Sequence, residues 1–407
     1  MSGAAPSATV AAAREARVAA CLDRFTAAER EAVVTLRRTL HAAPELSWQE
    51  SGTRATLRAA LQAAGIPDVR AIARTGLVAT IPGRVPGAPV IALRGDIDAL
   101  PIHEETGLPF ASRHDGVMHA CGHDMHASWT VAAGLLLARA PAAGDVRLIL
   151  QPAEEVGQGA SEVLASGALD GVAAIFGGHV DWRFRVGEVV ATSGPLAAST
   201  DEFTIVFHGT GGHGARPQDT RDPVVALAAF VMEVQTLVSR RLDPGLPGVV
   251  SVGVVEAGAA ANVIPERARC AGTIRATVPA ARTLLREGVR ALAESVAATH
   301  RVRAEVTLHD GTPPLVNTPR AAAWAQQAAG ALLGDEALRV LATANMGGED
   351  FAYYTERMDG CFMRIGTWRE GRERSGVHTP RFDPDEAALF VGGAVLAECA
   401  RIASGGS

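Results

Sequence analysis

Short apolar runs bounded by turn residues alternate along the chain with longer stretches whose apolar positions recur at helical spacing. Runs at 76–81, 90–93, 146–150, 172–176 and 189–192 read as strands, and 126–140 reads as a helix among them. Strands alternating with helices predict an α/β layer architecture. Two helix starts carry the capping-box pattern, Thr26-Ala-Ala-Glu29 and Ser47-Trp-Gln-Glu50. Pro44 should close the first of these helices, and Gly65 with Pro67 the second.

After Gly194 the pattern changes. A strand at 203–207, a helix at 223–239, strands at 249–256 and 267–276, a helix at 280–300 and a strand at 302–308 follow in order. This is the β-α-β-β-α-β order of a ferredoxin-like unit. From Thr312 the chain returns to mixed elements, with a strand at 362–365 and a closing helix at 385–401. Residues 195–311 are therefore expected to be an insertion in a discontinuous domain formed by 1–194 and 312–407.

The chain has 407 residues, 48% of them apolar and 20% charged, enough to bury a large core and to exclude disorder. Its net charge of -6, from 38 basic and 44 acidic residues, argues against nucleic acid or an anionic membrane as partner. Cysteine use is sparse and odd in number, at Cys21, Cys121, Cys270, Cys361 and Cys399, which argues for a reducing compartment. The Ala-rich N-terminus is broken by Arg14, Glu15 and Arg17 before an apolar core could form, and no run of ~20 apolar residues occurs. A soluble, cytoplasmic protein with a frayed or helical N-terminal tail is expected.

In α/β sheets the ligand crevice lies beyond the carboxyl ends of the strands, and polar residues gather there repeatedly. Arg94-Gly-Asp96-Ile-Asp98 follows one strand, Gln151-Pro-Ala-Glu154-Glu155 a second, and Gly177-Gly-His179 a third. Between the first two lies His119-Ala-Cys121-Gly-His123-Asp124-Met-His126, and Val377-His378-Thr379-Pro380 stands near the C-terminus. Cys121, His123, Glu155, His179 and His378 are five donors of the kind that bind zinc-like ions. Five is too many for one open tetrahedral site and suits two ions sharing a bridging ligand, for which Cys121 is the natural choice. Neighbouring side chains diverge, so Glu154-Glu155 reads as one ligand and one acid/base. Asp98 would accept the spare N–H of a ligating histidine.

The strings RGDIDALP, MHACGHDMH, QPAEE, GGHGARP, NVIPE, MGGEDFAYY and VHTPRFD, in this order, resemble the di-metal aminoacylase/carboxypeptidase-type amidohydrolases. The branch is that of hippurate hydrolase and the auxin-conjugate (IAA-amino acid) hydrolases. The resemblance implies a zinc-peptidase-like catalytic domain, its mixed sheet flanked by helices, and an inserted lid used for dimerisation. It implies ligation of two divalent ions by Cys121, His123, Glu155, His179 and His378, with Glu154 as general base/acid acting on water shared by the ions. Zinc is favoured through the soft Cys121, with manganese, cobalt or nickel as alternatives. His213 of GGHGARP would reach the substrate carbonyl in the partner subunit's site, and Asn262 and Arg275 would lie near the substrate carboxylate. The wording GGHGARPQD departs from the commoner GGHAAMPH-like form around Arg216.

The expected activity is cleavage of N-acyl amino acids to a carboxylic acid and a free amino acid by a homodimer. The alternatives are a dipeptidase or carboxypeptidase on the same chemistry and a non-catalytic metal- or ligand-binding dimer. A redox role for Cys121 lacks the second cysteine of a C-x-x-C pair. The other four cysteines read as buried hydrophobes and His119 and His126 as structural, while Glu349 and Asp350 are candidates to support the site. His41, His103, His114, His208, His300 and His309 read as background.

Overall fold

A computed structural model describes residues 8–66 and 68–405, leaving Pro67, one of the two expected stops of the second helix, outside the described residues. The chain divides into two compact units, Met1–Gly194 with Asn317–Ala342 and Tyr353–Ser407, and Pro195–Val316 with Thr343–Ala352.

The first unit is built on an eight-stranded mixed sheet. From one edge, its strands are Asp68–Ile72, Gly76–Ile81, Val146–Gln151, Val90–Asp96, Val172–Arg185, Asp359–Trp368, Val189–Val190 and Leu338–Arg339. The four strands 146–151, 90–96, 172–185 and 359–368 run parallel to their neighbours among themselves, so their carboxyl ends open on one edge of the sheet. Parallel strands are buried on both faces, and 90–96 and 146–151 are correspondingly apolar and enclosed.

Helices His123–Arg139 and Ala387–Ala403 are buried almost all round, which explains their lack of a polar stripe. Trp129 is fully enclosed, seated on glycines: a Cβ at Gly392 would lie 2.7 Å from the indole, and one at Gly178 would lie 3.6 Å from it. The capping box at Thr26 and Glu29 is present and opens helix Ala27–Ala42. From Ala8 the N-terminal segment is helix Ala8–Leu22, with Val18 and Cys21 buried.

The expected box at Ser47 and Glu50 does not form. The helix begins at Ser51, and its free N–H groups at Gly52 and Thr53 are taken by the Glu45 carboxylate at 3.1 and 2.7 Å. Ser47 and Glu50 make tertiary bonds instead. The strand expected to stop at Phe176 continues to Arg185, because its second half pairs with 359–368. His179 therefore projects from within a strand.

In the second unit, strands 201–208, 248–257, 267–276 and 303–309 form an antiparallel sheet in the order Gly248–Ala257, Arg267–Ala276, Asp201–His208, Arg303–His309. Phe203, Ile205 and Phe207 alternate inward to a core completed by Phe230, Leu285 and Val289 from helices Pro223–Glu233 and Pro279–Thr299. Two boundaries differ from expectation. The first unit resumes at Asn317, not 312, and residues 343–352 belong to the inserted unit. Backbone pairing is the reason: Asn345 N donates to Leu196 O at 2.9 Å and Ala198 N to Asn345 O at 2.9 Å.

A methyl group at Gly392 meets the indole of Trp129 in a packed core, so Gly392→Ala should destabilise by about 1–3 kcal/mol, read as a lower denaturant midpoint. A midpoint equal to wild type would mean that the helices can part at no cost.

Candidate metal centre

The carboxyl ends of the parallel strands deliver the acidic groups. Asp96 ends its strand fully buried, receiving Arg94 Nη1 on Oδ2 and facing His126 Nδ1 at 2.6 Å through Oδ1. Arg94 Nε also donates to Gln151 Oε1, which accepts from the Tyr354 hydroxyl. Two residues on, Asp98 faces His123 Nδ1 at 3.2 Å through Oδ1, while its Oδ2 accepts the Ser47 hydroxyl at 2.7 Å and the Glu155 N–H at 3.0 Å. Burial alone would raise the Asp98 carboxyl, but hydrogen bonding to His123 and Ser47 keeps it below the ordinary range.

Cys121 and His123 flank Gly122, which caps the following helix at φ +83°. A Cβ there would stand 2.7 Å from Val180 Cγ2, so only glycine fits. His179 Nδ1 donates to Val180 O at 2.8 Å, leaving Nε2 3.3 Å from Cys121 Sγ. His378 sits at φ +62°, its N–H on Ala120 O at 2.8 Å and its Nε2 3.2 Å from the same sulfur. It is also 3.7 Å from Glu155 Oε1. His123 Nε2 lies 3.8 Å from Glu155 Oε1 and 3.9 Å from Glu154 Oε2.

All five expected donors thus converge, from positions 121 to 378. Their ligand atoms group as Cys121/His123/His179 and Cys121/Glu155/His378, and Glu154 joins His123 and Glu155 in a third group, each trio within 4.8 Å. Ligands held ~2.0–2.3 Å from a tetrahedral ion are spaced by about 3.3–3.8 Å, close to the 3.2–3.9 Å separations given above. His123 Nε2 and Glu155 Oε1 are buried without a hydrogen-bond partner, although nearly every buried polar atom has one. Burial also pushes the Glu155 carboxyl up to about 7 and the Cys121 thiol well above its usual value, the latter with help from Glu155. Burial, with Arg364 at His179 and His123 at His378, depresses both imidazoles and favours their neutral, ligating form. A cation shared by these groups satisfies every one of them, so the residues fit metal ions.

His126, expected to be structural without a named partner, is bonded on both sides. It faces Asp96, and its Nε2 accepts the Val180 N–H at 2.9 Å, tying the helix to the strand that carries His179. His41 reads as background in the sequence. It is buried between Asp124 Oδ2 at 2.8 Å and Glu104 Oε1 at 3.2 Å, and Arg37 Nε reaches the same Asp124 oxygen at 2.8 Å. This network anchors the first turn of the helix that begins at His123. Its only trace in the sequence is Arg37 and His41, polar residues four apart on the buried stripe of helix 27–42.

In the second unit, His213 is exposed on a short ribbon with Val263 opposite it, and Gly214 N donates to Asn262 O at 2.8 Å. The ribbon brings His213 and Asn262 together. Arg275 is not with them: it pairs with Val249, eight residues along the strand from Arg267 or about 26 Å. Glu349 and Asp350 are buried in the 343–352 segment of this unit.

The model of peptidase family M20/M25/M40 matches residues 92–402. The chain belongs to this family. As an M20 hydrolase it is 43% identical over 374 residues to an N-acetylcysteine deacetylase of Bacillus subtilis, covering 91% of this chain and 96% of the relative. It is 38% identical to the IAA-amino acid hydrolase ILR1-like 2 of Arabidopsis thaliana, covering 90% and 84%. The crystal structure of the YXEP protein of Bacillus subtilis, described as a dinuclear metal binding peptidase from the M20 family, superposes with a TM-score of 0.81. That match has 39% identity and covers 93% of this chain and 99% of that one. The chain is a metal-dependent M20 amidohydrolase/peptidase with the two-unit M20 fold. Among the described residues no helix is long and apolar enough to cross a membrane.

Burial would raise the Glu104 carboxyl, but bonds from His41, Thr106 and the Ser112 N–H hold it down at about 2, against an ordinary 4.5. A depressed carboxyl stabilises the fold fully above its unfolded pKa and loses that contribution as pH falls toward the folded one. The stability gap between wild type and Glu104→Gln, from denaturant titrations, should therefore shrink steadily below pH 4.5. A gap independent of pH would show that the network does not depend on the Glu104 charge.

Proposed function

We propose that this M20 hydrolase cleaves the amide bond of N-acyl amino acids, releasing a carboxylic acid and a free amino acid. The observation that carries the reading is Glu154: a second carboxylate, little exposed, beside a donor set that is already complete. Pure metal binding has no use for it, which disfavours a non-catalytic dimer. The names of the deacetylase and auxin-conjugate hydrolase relatives support an acyl-amino acid substrate.

Cys121, His123, Glu155, His179 and His378 would hold two divalent ions, with zinc preferred through the thiolate. When bound, such a pair acidifies water and polarises a carbonyl oxygen. Asp98 keeps His123 Nδ1 as the donor, so Nε2 presents its lone pair to the site. The Val180 carbonyl does the same for His179. Glu154 takes the proton of the attacking water and delivers it to the departing amine, a role worth ~10²–10⁴ in rate.

His213 would donate to the substrate carbonyl in the site of the partner subunit, and Asn262 would contact the substrate carboxylate. Arg275 keeps that second role only if the carboxylate reaches the opposite end of its strand. The homodimer is supported by strand 248–257, a sheet edge on which Val254 and Val255 are 40% and 59% exposed, a surface apt to pair with a second copy. Five buried free cysteines support a reducing, cytoplasmic setting. The peptidase reading is favoured by a relative named thermostable carboxypeptidase 1, at 32% identity, and is separated by assaying dipeptides beside N-acetyl and N-benzoyl amino acids.

Glu154→Gln should lower kcat by ~10²–10⁴ while elemental analysis finds the metal retained. Loss of metal instead would exchange the roles of the two glutamates. Mixing Glu154→Ala with His213→Ala chains should restore measurable activity through one intact composite site. A mixture as inactive as its parents would restrict His213 to its own subunit or remove it from catalysis.

A further inference from the structure

The loop that carries Glu154 turns through an alanine in the left-handed region, Ala153 at φ +54°, a conformation unfavourable for any residue with a Cβ. The Ala153 N–H is held by Glu50 Oε1 at 2.9 Å, and Glu50 Oε2 accepts the Thr75 hydroxyl at 2.6 Å. Glu50 is completely enclosed, and burial raises its carboxyl above the ordinary range. Burying a carboxyl is costly, and capping helix Ser51–Ala63 does not require it, because Glu45 already takes those N–H groups.

The same short segment reaches the site a second time. Ser47 donates to Asp98, whose oxygens face His123 Nδ1 and the Glu155 N–H. Ala99 N bonds to Glu45 O at 2.9 Å, fixing the segment along the chain that carries Asp98. Residues 45–50 therefore brace both glutamate-bearing and aspartate-bearing loops; Glu50 holds the N–H of the strained turn, whose carbonyl accepts the Gln158 and Gly159 N–H groups at 3.4 and 3.1 Å.

We propose that Glu50 is a positioning residue for the hydrolytic reaction: its enclosed carboxylate locks the left-handed turn at Ala153 and so directs Glu154 and Glu155 to their separate places. The proposal rests on the reading of Glu154 as the base. Glu50 itself touches no reacting atom; it acts through one backbone N–H.

The test compares metal-loaded wild type with Glu50→Gln, Glu50→Ala, Thr75→Val and the double variant Glu50→Ala/Ala153→Gly, using an N-acetyl amino acid as substrate. Glutamine keeps an oxygen for the Ala153 N–H, and the Thr75 hydroxyl can turn to accept its amide, so Glu50→Gln should stay within about tenfold of wild-type kcat. Glu50→Ala should lose about 100-fold in kcat with little change in KM and full metal content. Its amides at 151 and 153–158 should exchange faster. Glycine adopts a positive φ freely, so the double variant should recover about tenfold of that loss even though it makes no new contact. Thr75→Val, which leaves the carboxyl in place with one anchor removed, should lower kcat about tenfold and serves if Glu50→Ala does not fold.

Wild-type kcat and unchanged exchange in Glu50→Ala overturn the proposal, as does a double variant no faster than Glu50→Ala. Wild-type kcat in Thr75→Val does the same where Glu50→Ala is unfolded. Should Glu154→Gln itself remain active, it is the base assignment that falls. An inactive Glu154→Gln beside a fully active Glu50→Ala removes the positioning role alone.

Discussion

A thiol, a carboxyl and three imidazoles meet at one site in overlapping trios whose ligand atoms lie within 4.8 Å of one another, and a shared positive charge is what suits all of them. Everything else in the first unit follows from holding them there. The carboxyl of Glu155 and the thiol of Cys121 are both driven toward their neutral forms by burial, while His123 Nε2 and Glu155 Oε1 go without hydrogen bonds. Burying such a cluster is costly, and a cation held among these donors would offset that cost. Site and ligand are in this sense one electrostatic unit.

Rigidity comes from a second ring of polar bonds. Asp98 orients His123, Asp96 and the Val180 N–H fix His126, and Arg37 with His41 clamps Asp124 in the turn after His123. The partners arrive from the end of strand 90–96, from strand 172–185 and from helix 27–42, so the donors are fixed by tertiary contacts rather than by their own short loops. Burying this many charges is tolerable only because each is paired, and it explains why helix 123–139 has so polar a first turn within an apolar body.

Much of this was legible in the sequence. The donors stand in strings whose order matches a family, and their placement beyond strand ends follows from α/β topology. The inserted unit was legible because Phe203, Ile205 and Phe207 alternate cleanly and its two helices are long. What stayed hidden depends on partners far away in the chain. Ser-x-x-Glu at 47–50 has the form of a cap, yet its side chains bond to residues 98 and 153, and no local pattern separates those two uses. His41 and His126 bond to Asp124 and Asp96, distant in the chain, so their polarity within buried stripes was visible and their partners were not. Residues 343–352 join the inserted unit partly through backbone bonds at Asn345 and Gly347, which leave no trace in side-chain chemistry.

The backbone angles add one more constraint. Trp48, Ala153 and His378 all have positive φ without being glycine, and each borders or belongs to the site. Such conformations cost of order 1–3 kcal/mol apiece against a typical total stability of 5–15 kcal/mol, so they persist only where surrounding bonds hold them. Those bonds are present: the Ala120 carbonyl for the His378 N–H, Glu50 for Ala153, and Gln158 with the overlying Arg74 guanidinium for the Trp48 ring. A glycine at any of the three would be easier to fold and less well directed. Alanine and histidine commit the loop to one direction once their partners are in place, which is what separating two adjacent glutamates into different roles requires.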